Sequence, residues 1–185
     1  MARIDPMAPA DMSAEQKRLA EEIAAPRGGK LGGPFAIWLR NPDMVDRANK
    51  FGSFLRTGTS LPRRQVELAV LVTARFWTAQ YEWHVHEDAA LEAGVPADAV
   101  AAIKQGRTPT LTDPADRAIY ALCTELYEAK VLSDAAYEAA LAALGETGVV
   151  EIVAVAGFYS MVALTLNAFQ VDIPGGAPPP LAPLS

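Results

Sequence analysis

The chain has 185 residues, 51% of them hydrophobic and 21% charged, with 16 basic and 22 acidic side chains for a net charge of -6. That length suits one domain with its own core, and the mix is too apolar for a disordered chain and too polar for a membrane protein. The acidic balance is the wrong sign for binding nucleic acid by neutralising phosphates, and the single cysteine, Cys123, excludes a CxxC redox pair or a multi-cysteine metal site.

Residues 1–11 read as an arm without the basic region and apolar run of a secretory signal, which with the lone cysteine leads us to expect a cytoplasmic protein. Ser13 with Gln16 makes a capping box for a helix to about residue 25, ended by PRGGKLGGP. After a short segment at 35–39, Asn41-Pro42 opens a helix to about residue 56. Ser60-Leu61-Pro62 repeats the cap-then-proline pattern before a buried helix over 62–78. A further helix spans 79–93, stopped by Gly94, and Pro96 opens a short one ending near Gly106. Asp113-Pro114 starts a helix through Tyr127, Ser133 one through Leu144, which Gly145 stops, and the last covers 147–168.

No strand pattern competes, so the fold class is all-α, a compact multi-helix domain. The stretch 152–169 is membrane-like in its Val, Ala, Leu and Phe content. It carries Ser160, Thr165 and Asn167 and is short of the roughly 20 apolar residues of a span, so a buried core or interface helix is expected and no membrane partner. The tail PGGAPPPLAPLS has a composition that does not pack, giving a domain over 1–173 and a tail over 174–185 that trails or drapes over a neighbour. Val66-Glu67-Leu68 and Val150-Glu151-Ile152 each set a glutamate at the entrance of an apolar helix, a weak internal echo.

Both histidines fall in Ala79-Gln80-Tyr81-Glu82-Trp83-His84-Val85-His86. Glu82 and His86 are four apart and share a helix face with Ala79, Ala89, Ala90 and Ala93, small residues that leave space beside two titratable groups. A carboxylate and an imidazole so placed can hold and move a proton near neutral pH. Glu67 shares its face with Leu71 and Ala74, so it too is expected to be buried, with His86 or Arg75 as partner. His84 diverges from His86 by about 200° on a helix, which argues against a metal site and sets His84 on another face. A pocket combining Glu67, Glu82 and His86 with an aromatic, Trp77, Trp83 or Tyr159, would mark an enzyme, whereas a sealed contact around His86 would mark a binding or scaffold protein. Serine-hydrolase, dinucleotide and P-loop motifs are lacking.

The stretch RRQVELAVLVTARFWTAQYEWHVHEDAALEAGVP resembles the core of the carboxymuconolactone decarboxylase superfamily, which includes alkylhydroperoxidase D-like proteins. The resemblance runs over about 44–169 and rests on Leu61-Pro62, Glu67, Tyr81-Glu82-Trp83, His86, the Ala90 to Gly94 helix end and Gly157-Phe158-Tyr159. In the peroxidase branch a CxxC pair would stand at the positions of Ala79 and Glu82, so its thiol chemistry does not transfer. The resemblance implies the decarboxylase side: a cofactor-free and metal-free lyase acting on a small carboxylated lactone or keto acid in aromatic-compound catabolism. His86 would be the proton donor, with Glu82 and Glu67 setting its state. It also implies a homotrimer, or a hexamer built from it. An anionic substrate needs a cation, for which Arg75 and Arg40 are the candidates, and Trp77, Trp83 and Tyr159 would line the pocket. The alternative is a non-catalytic or redox-accessory relative that has lost its cysteines.

Overall fold

The computed structural model describes residues 2–183 and contains eight α-helices and no strands among them: α1 (Ala14–Ala24), α2 (Pro34–Trp38), α3 (Pro42–Thr57), α4 (Arg63–Phe76), α5 (Gln80–Glu92), α6 (Ala97–Lys104), α7 (Pro114–Ala129) and α8 (Asp134–Phe169). Their starts follow local chemistry. The Ser13 hydroxyl accepts from the Gln16 amide at 3.2 Å while the Gln16 side chain accepts from the Ser13 amide at 2.9 Å. Asn41 caps α3, Asp113 caps α7 and Ser133 caps α8, each accepting from a first-turn amide.

Two expectations need correction. Ser60 does not cap α4: Pro62 takes that place, its carbonyl accepting from the amides of Gln65 and Val66. Ser60 instead turns its amide and hydroxyl to the Glu151 carboxylate of α8, the hydroxyl at 2.6 Å. The tail also packs. Leu181 is 3% exposed, and its amide and carbonyl pair with the side-chain amide of Gln80, both at 2.9 Å. One leucine and one side chain that mimics a peptide group are enough to seat a segment whose composition alone gives it no reason to fold.

Helix α4 is the central element, in contact with α3, α5, α6, α7 and α8. Leu68, Ala69, Val70, Leu71 and Ala74 are 0–1% exposed, which is why this stretch is apolar on nearly every side. α8 is interrupted at Gly145, whose φ of 70° and ψ of 170° end one helix and start the next, as a glycine stop requires. By length and composition α8 passes for a membrane-crossing helix, yet half of its most apolar window is buried inside this bundle, chiefly against α4 and α7. Its outer side leaves Val150, Val153, Met161 and Leu164 38–69% exposed.

Candidate active site

α4 and α5 form an antiparallel hairpin. Thr78, at φ 47°, makes the sharp turn between them. At about 1.5 Å of rise per residue, Glu67 before the turn and His86 after it stand at similar heights, roughly 12–16 Å from the turn. They meet: His86 Nδ1 lies 2.8 Å from Glu67 Oε2. Arg63, one turn earlier on α4, brings its Nε to 3.6 Å from Glu67 Oε1. A carboxylate only 6% exposed thus has the partners burial demands. With Nδ1 engaged, the Nε2 of His86 is the nitrogen left for chemistry, and the ring stands edge-on to Tyr159, centroids 5.2 Å apart.

Glu82 lies one turn before His86 on the same face of α5. It is 1% exposed and neither carboxyl oxygen has a hydrogen-bond partner. Burial raises its pKa well above the usual carboxylate range, which favours the protonated form, able to donate. Tyr159, 3% exposed, also holds its proton tightly: burial raises its pKa more than the neighbouring Arg56 lowers it, and Glu67 and Glu82 add to the rise.

These groups share a cavity of about 640 Å³. α3 contributes Ser53, Arg56 and Thr57; α4, Arg63 and Glu67; α5, Glu82, Val85, His86 and Ala89; α8, Phe158, Tyr159, Val162 and Leu166. The segment between α1 and α2 closes the wall with Arg27, Lys30, Gly32 and Gly33. Gly33 is required there: its φ is 59°, and a Cβ would stand 3.0 Å from the Tyr81 ring. Arg27 lies 4.5 Å over the Phe35 ring and donates to Asn49 at 3.2 Å. Burial, and then the charge of Arg56, lower its pKa, which describes two cations sharing one space.

Of the residues singled out in the sequence, Glu67, Glu82, His86 and Tyr159 come together on this cavity. The other four do not. Arg75 lies eight residues from Glu67, about 80° round α4, and borders a different, smaller cavity. Arg40 reaches back to the carbonyls of Ala36 and Asp5. Trp77 sits at the hairpin turn, its indole N–H donating to Ser160 at 3.0 Å. Trp83, next to Glu82 but about 100° round the helix, is fully buried in the core. His84 lies outside the cavity, on another side of α5 from Glu82 and His86. The cations that line the site, Arg27, Lys30, Arg56 and Arg63, are ones the sequence reading passed over. Arg63 was legible, four residues before Glu67; Arg27 and Lys30 flank the first of two glycine pairs in a stretch that read only as a helix breaker.

Cys123 sits on α7, fully buried, away from this cavity. Burial pushes its thiol up to about 12, so it carries no thiolate at neutral pH. No group of three or more His, Cys, Asp or Glu side chains suited to a metal occurs among the described residues.

Residues 42–125, which include the whole α4–α5 hairpin, match the model of the carboxymuconolactone decarboxylase family. No curated protein is similar in sequence at a significant level. Among solved structures, an uncharacterized peroxidase-related protein from Ralstonia eutropha JMP134, described as an alkylhydroperoxidase AhpD core, superposes with a TM-score of 0.78 at 13% identity, over 94% of this chain and 93% of its own. A peroxidase-related protein from Silicibacter sp. TM1040 gives 0.75 at 14%, over 92% and 90%. A cysteine-to-alanine variant of the debrominase Bmp8, in complex with 2,3,4-tribromopyrrole, gives 0.76 at 16%, over 95% of both chains. At such identities the likeness is one of fold. Over residues 42–125 the chain thus resembles the carboxymuconolactone decarboxylase family, on an alkylhydroperoxidase D-like fold and without a cysteine pair.

Proposed function

We propose that the protein is a cofactor-independent acid–base enzyme, a carboxy-lyase for a small lactone or keto carboxylic acid. The observation that carries this reading is the Glu67–His86 pair, hydrogen-bonded at 2.8 Å on the wall of a cavity that four cationic side chains also line. In a protein of net charge -6, that local excess of positive charge favours an anionic ligand.

The chemistry assigns each group a role. Arg56 and Arg63 hold the substrate carboxylate. The bond between the carboxyl carbon and its neighbour breaks, carbon dioxide leaves, and the electron pair passes into the adjacent lactone or keto carbonyl as an enolate. The carboxyl of Glu82, whose protonated form burial favours, and the hydroxyl of Tyr159 donate to the developing oxyanion. His86 then delivers a proton from Nε2 to the carbon and regains one from water, so that a carboxylate and a proton become carbon dioxide and a C–H bond. Glu67, bonded to Nδ1, fixes the orientation of the ring so that Nε2 faces the substrate. A scaffold or redox-accessory role draws no support from a histidine that faces a cavity or from a neutral, buried Cys123. The exposed apolar side of α8 supports the expectation of self-association into a trimer or hexamer.

The test is a panel of small lactone and keto acids assayed for carbon dioxide release. With a substrate in hand, Arg56→Met should raise KM by about tenfold or more, the effect of losing one charged hydrogen bond worth roughly 1.5–3 kcal/mol. Conversion of panel members to isomers or hydrates without carbon dioxide would keep the acid–base site and remove the lyase reading.

A further inference from the structure

The cavity of His86 has two unlike ends. Helix α8 runs beside α4 in the same direction: Ser60, just before α4, bonds the Glu151 carboxylate, and Trp77, just after α4, accepts from Asn167 and donates to Ser160. Arg63 in the first turn of α4, with Arg56 and Thr57 in the last turn of α3, lines the cavity at the end marked by Ser60 and Glu151. Glu67, His86 and Tyr159 come next. Beyond them Val162 and Leu166 continue the face of α8 that carries Tyr159, three and seven residues on, so that Leu166 stands roughly 10 Å farther along the helix, next to Asn167 at the hairpin end. Phe35 closes this end. Its ring packs edge-on to Trp38, centroids 5.4 Å apart, and the Trp38 indole donates to Thr165 of α8 at 3.0 Å. The cations nearest in sequence do not make this end polar: Arg27 lies over the Phe35 ring and is engaged by Asn49 and the Ile23 carbonyl, and Lys30 is exposed.

At about 640 Å³ the cavity falls within the range, roughly 300–1,000 Å³, that encloses drug-sized ligands. A compact ring acid seated on Arg56 and Arg63 would leave the far end as water against apolar walls. We propose that, among the acids the lyase reading allows, the substrate is a 3-oxo acid with an unbranched alkyl chain of medium length, its carboxylate on Arg56 and Arg63 and its chain against Val162, Leu166 and Phe35. The inference rests on that reading for the reaction and on the shape of the cavity for the chain. The order of groups in such a molecule matches the order of side chains: carboxylate, methylene, ketone and chain meet the two arginines, then His86, then Glu82 and Tyr159, then the apolar end. Glu82 stands about 6 Å from His86 along α5, on the side of the hairpin turn, as a ketone next to the reacting carbon requires. The bond between C1 and C2 breaks, carbon dioxide leaves, and the electron pair moves onto the ketone oxygen as an enolate. His86 protonates C2, so a carboxylate and one proton become carbon dioxide and a methyl ketone.

Binding and turnover are measured separately. Hexanoate, octanoate and decanoate, which lack the ketone and cannot decarboxylate by this route, are titrated calorimetrically into the full chain. Affinity should rise about fourfold for each methylene buried, on the order of a hundredfold from hexanoate to decanoate. With Val and Leu methyl groups isotope-labelled, decanoate should shift the NMR signals of Val162 and Leu166 and leave in place those of Val153 and Leu164 on the exposed side of α8. Leu166→Ala should weaken decanoate several-fold more than hexanoate, and the methyl shifts carry the test should that variant fail to fold. Carbon dioxide release above the spontaneous rate should favour 3-oxodecanoate over 3-oxobutanoate in kcat/KM by about tenfold or more. Equal affinities along the alkanoate series overturn the proposal, as do shifts confined to Val153 and Leu164. Equal kcat/KM for the two oxo acids also overturns it, and leaves the lyase reading in place. Decanoate seated at Val162 and Leu166 while neither oxo acid loses carbon dioxide faster than in buffer removes the lyase reading, and the substrate with it.

Discussion

Toward α5, helix α4 presents Arg63 and Glu67, and α5 answers with His86 and Glu82; elsewhere on its surface α4 presents Leu68, Val70, Leu71 and Ala74, all but excluded from solvent, to the common core. One helix of fourteen residues therefore borders both a polar cavity and a dry interior. In the dry region each methylene removed leaves a void that close-packed neighbours cannot fill. Along the cavity the cost is electrostatic, and the two acids meet it differently: Glu67 has partners, and Glu82, which has none, has its pKa raised by burial. Two acids within one site in such different surroundings suit acid–base chemistry.

Substitutions on the two sides should separate function from stability. His86→Ala should lower turnover by about 10²–10⁴-fold, the usual contribution of a positioned proton donor, at a stability cost of about 1–3 kcal/mol. Steady-state rates normalised to the folded fraction measure it, and proportional losses of activity and folded protein would place His86 with the core. Leu71→Ala should do the reverse, destabilising by about 2–5 kcal/mol in urea unfolding while each folded molecule keeps its activity.

Glu82→Gln sharpens the comparison by pH. Because burial raises the folded-state pKa of Glu82 above its ordinary value of 4.5, the folded protein retains a proton that the unfolded chain releases. Parent stability from this group is complete below that ordinary value and is lost as pH rises toward the raised one. Unfolding free energies across pH 4–8 should therefore drift in favour of Glu82→Gln as pH rises. A drift in favour of the parent would mean an ionised and partnered Glu82.

Helix starts were legible because a cap is local: Ser13, Asn41, Asp113 and Ser133 each act on an amide within three residues. The Glu67–His86 pair was legible because the two residues sit on successive helices whose turn makes them neighbours. Of the cationic wall only Arg63, four residues before Glu67, was legible; Arg27 and Arg56 reach it from other elements, and no periodicity announces where separate elements converge. Arg75 misled for a related reason. It lies on the same helix as Glu67, and only the rotation between them, about 80°, sends it to the second cavity. The tail misled because composition cannot foresee one Gln80 side chain that completes the peptide bonds of Leu181.

The central claim is the bond between Glu67 and the Nδ1 of His86, and the chain has two histidines, so proton–nitrogen NMR of the imidazole rings can read it directly. The account predicts one downfield, slowly exchanging proton on an Nδ1, present in His84→Ala, absent in His86→Ala and moved upfield in Glu67→Gln as a charge-assisted bond becomes a neutral one. A His86 ring protonated only on Nε2, or an Nδ1 proton indifferent to Glu67→Gln, would contradict it.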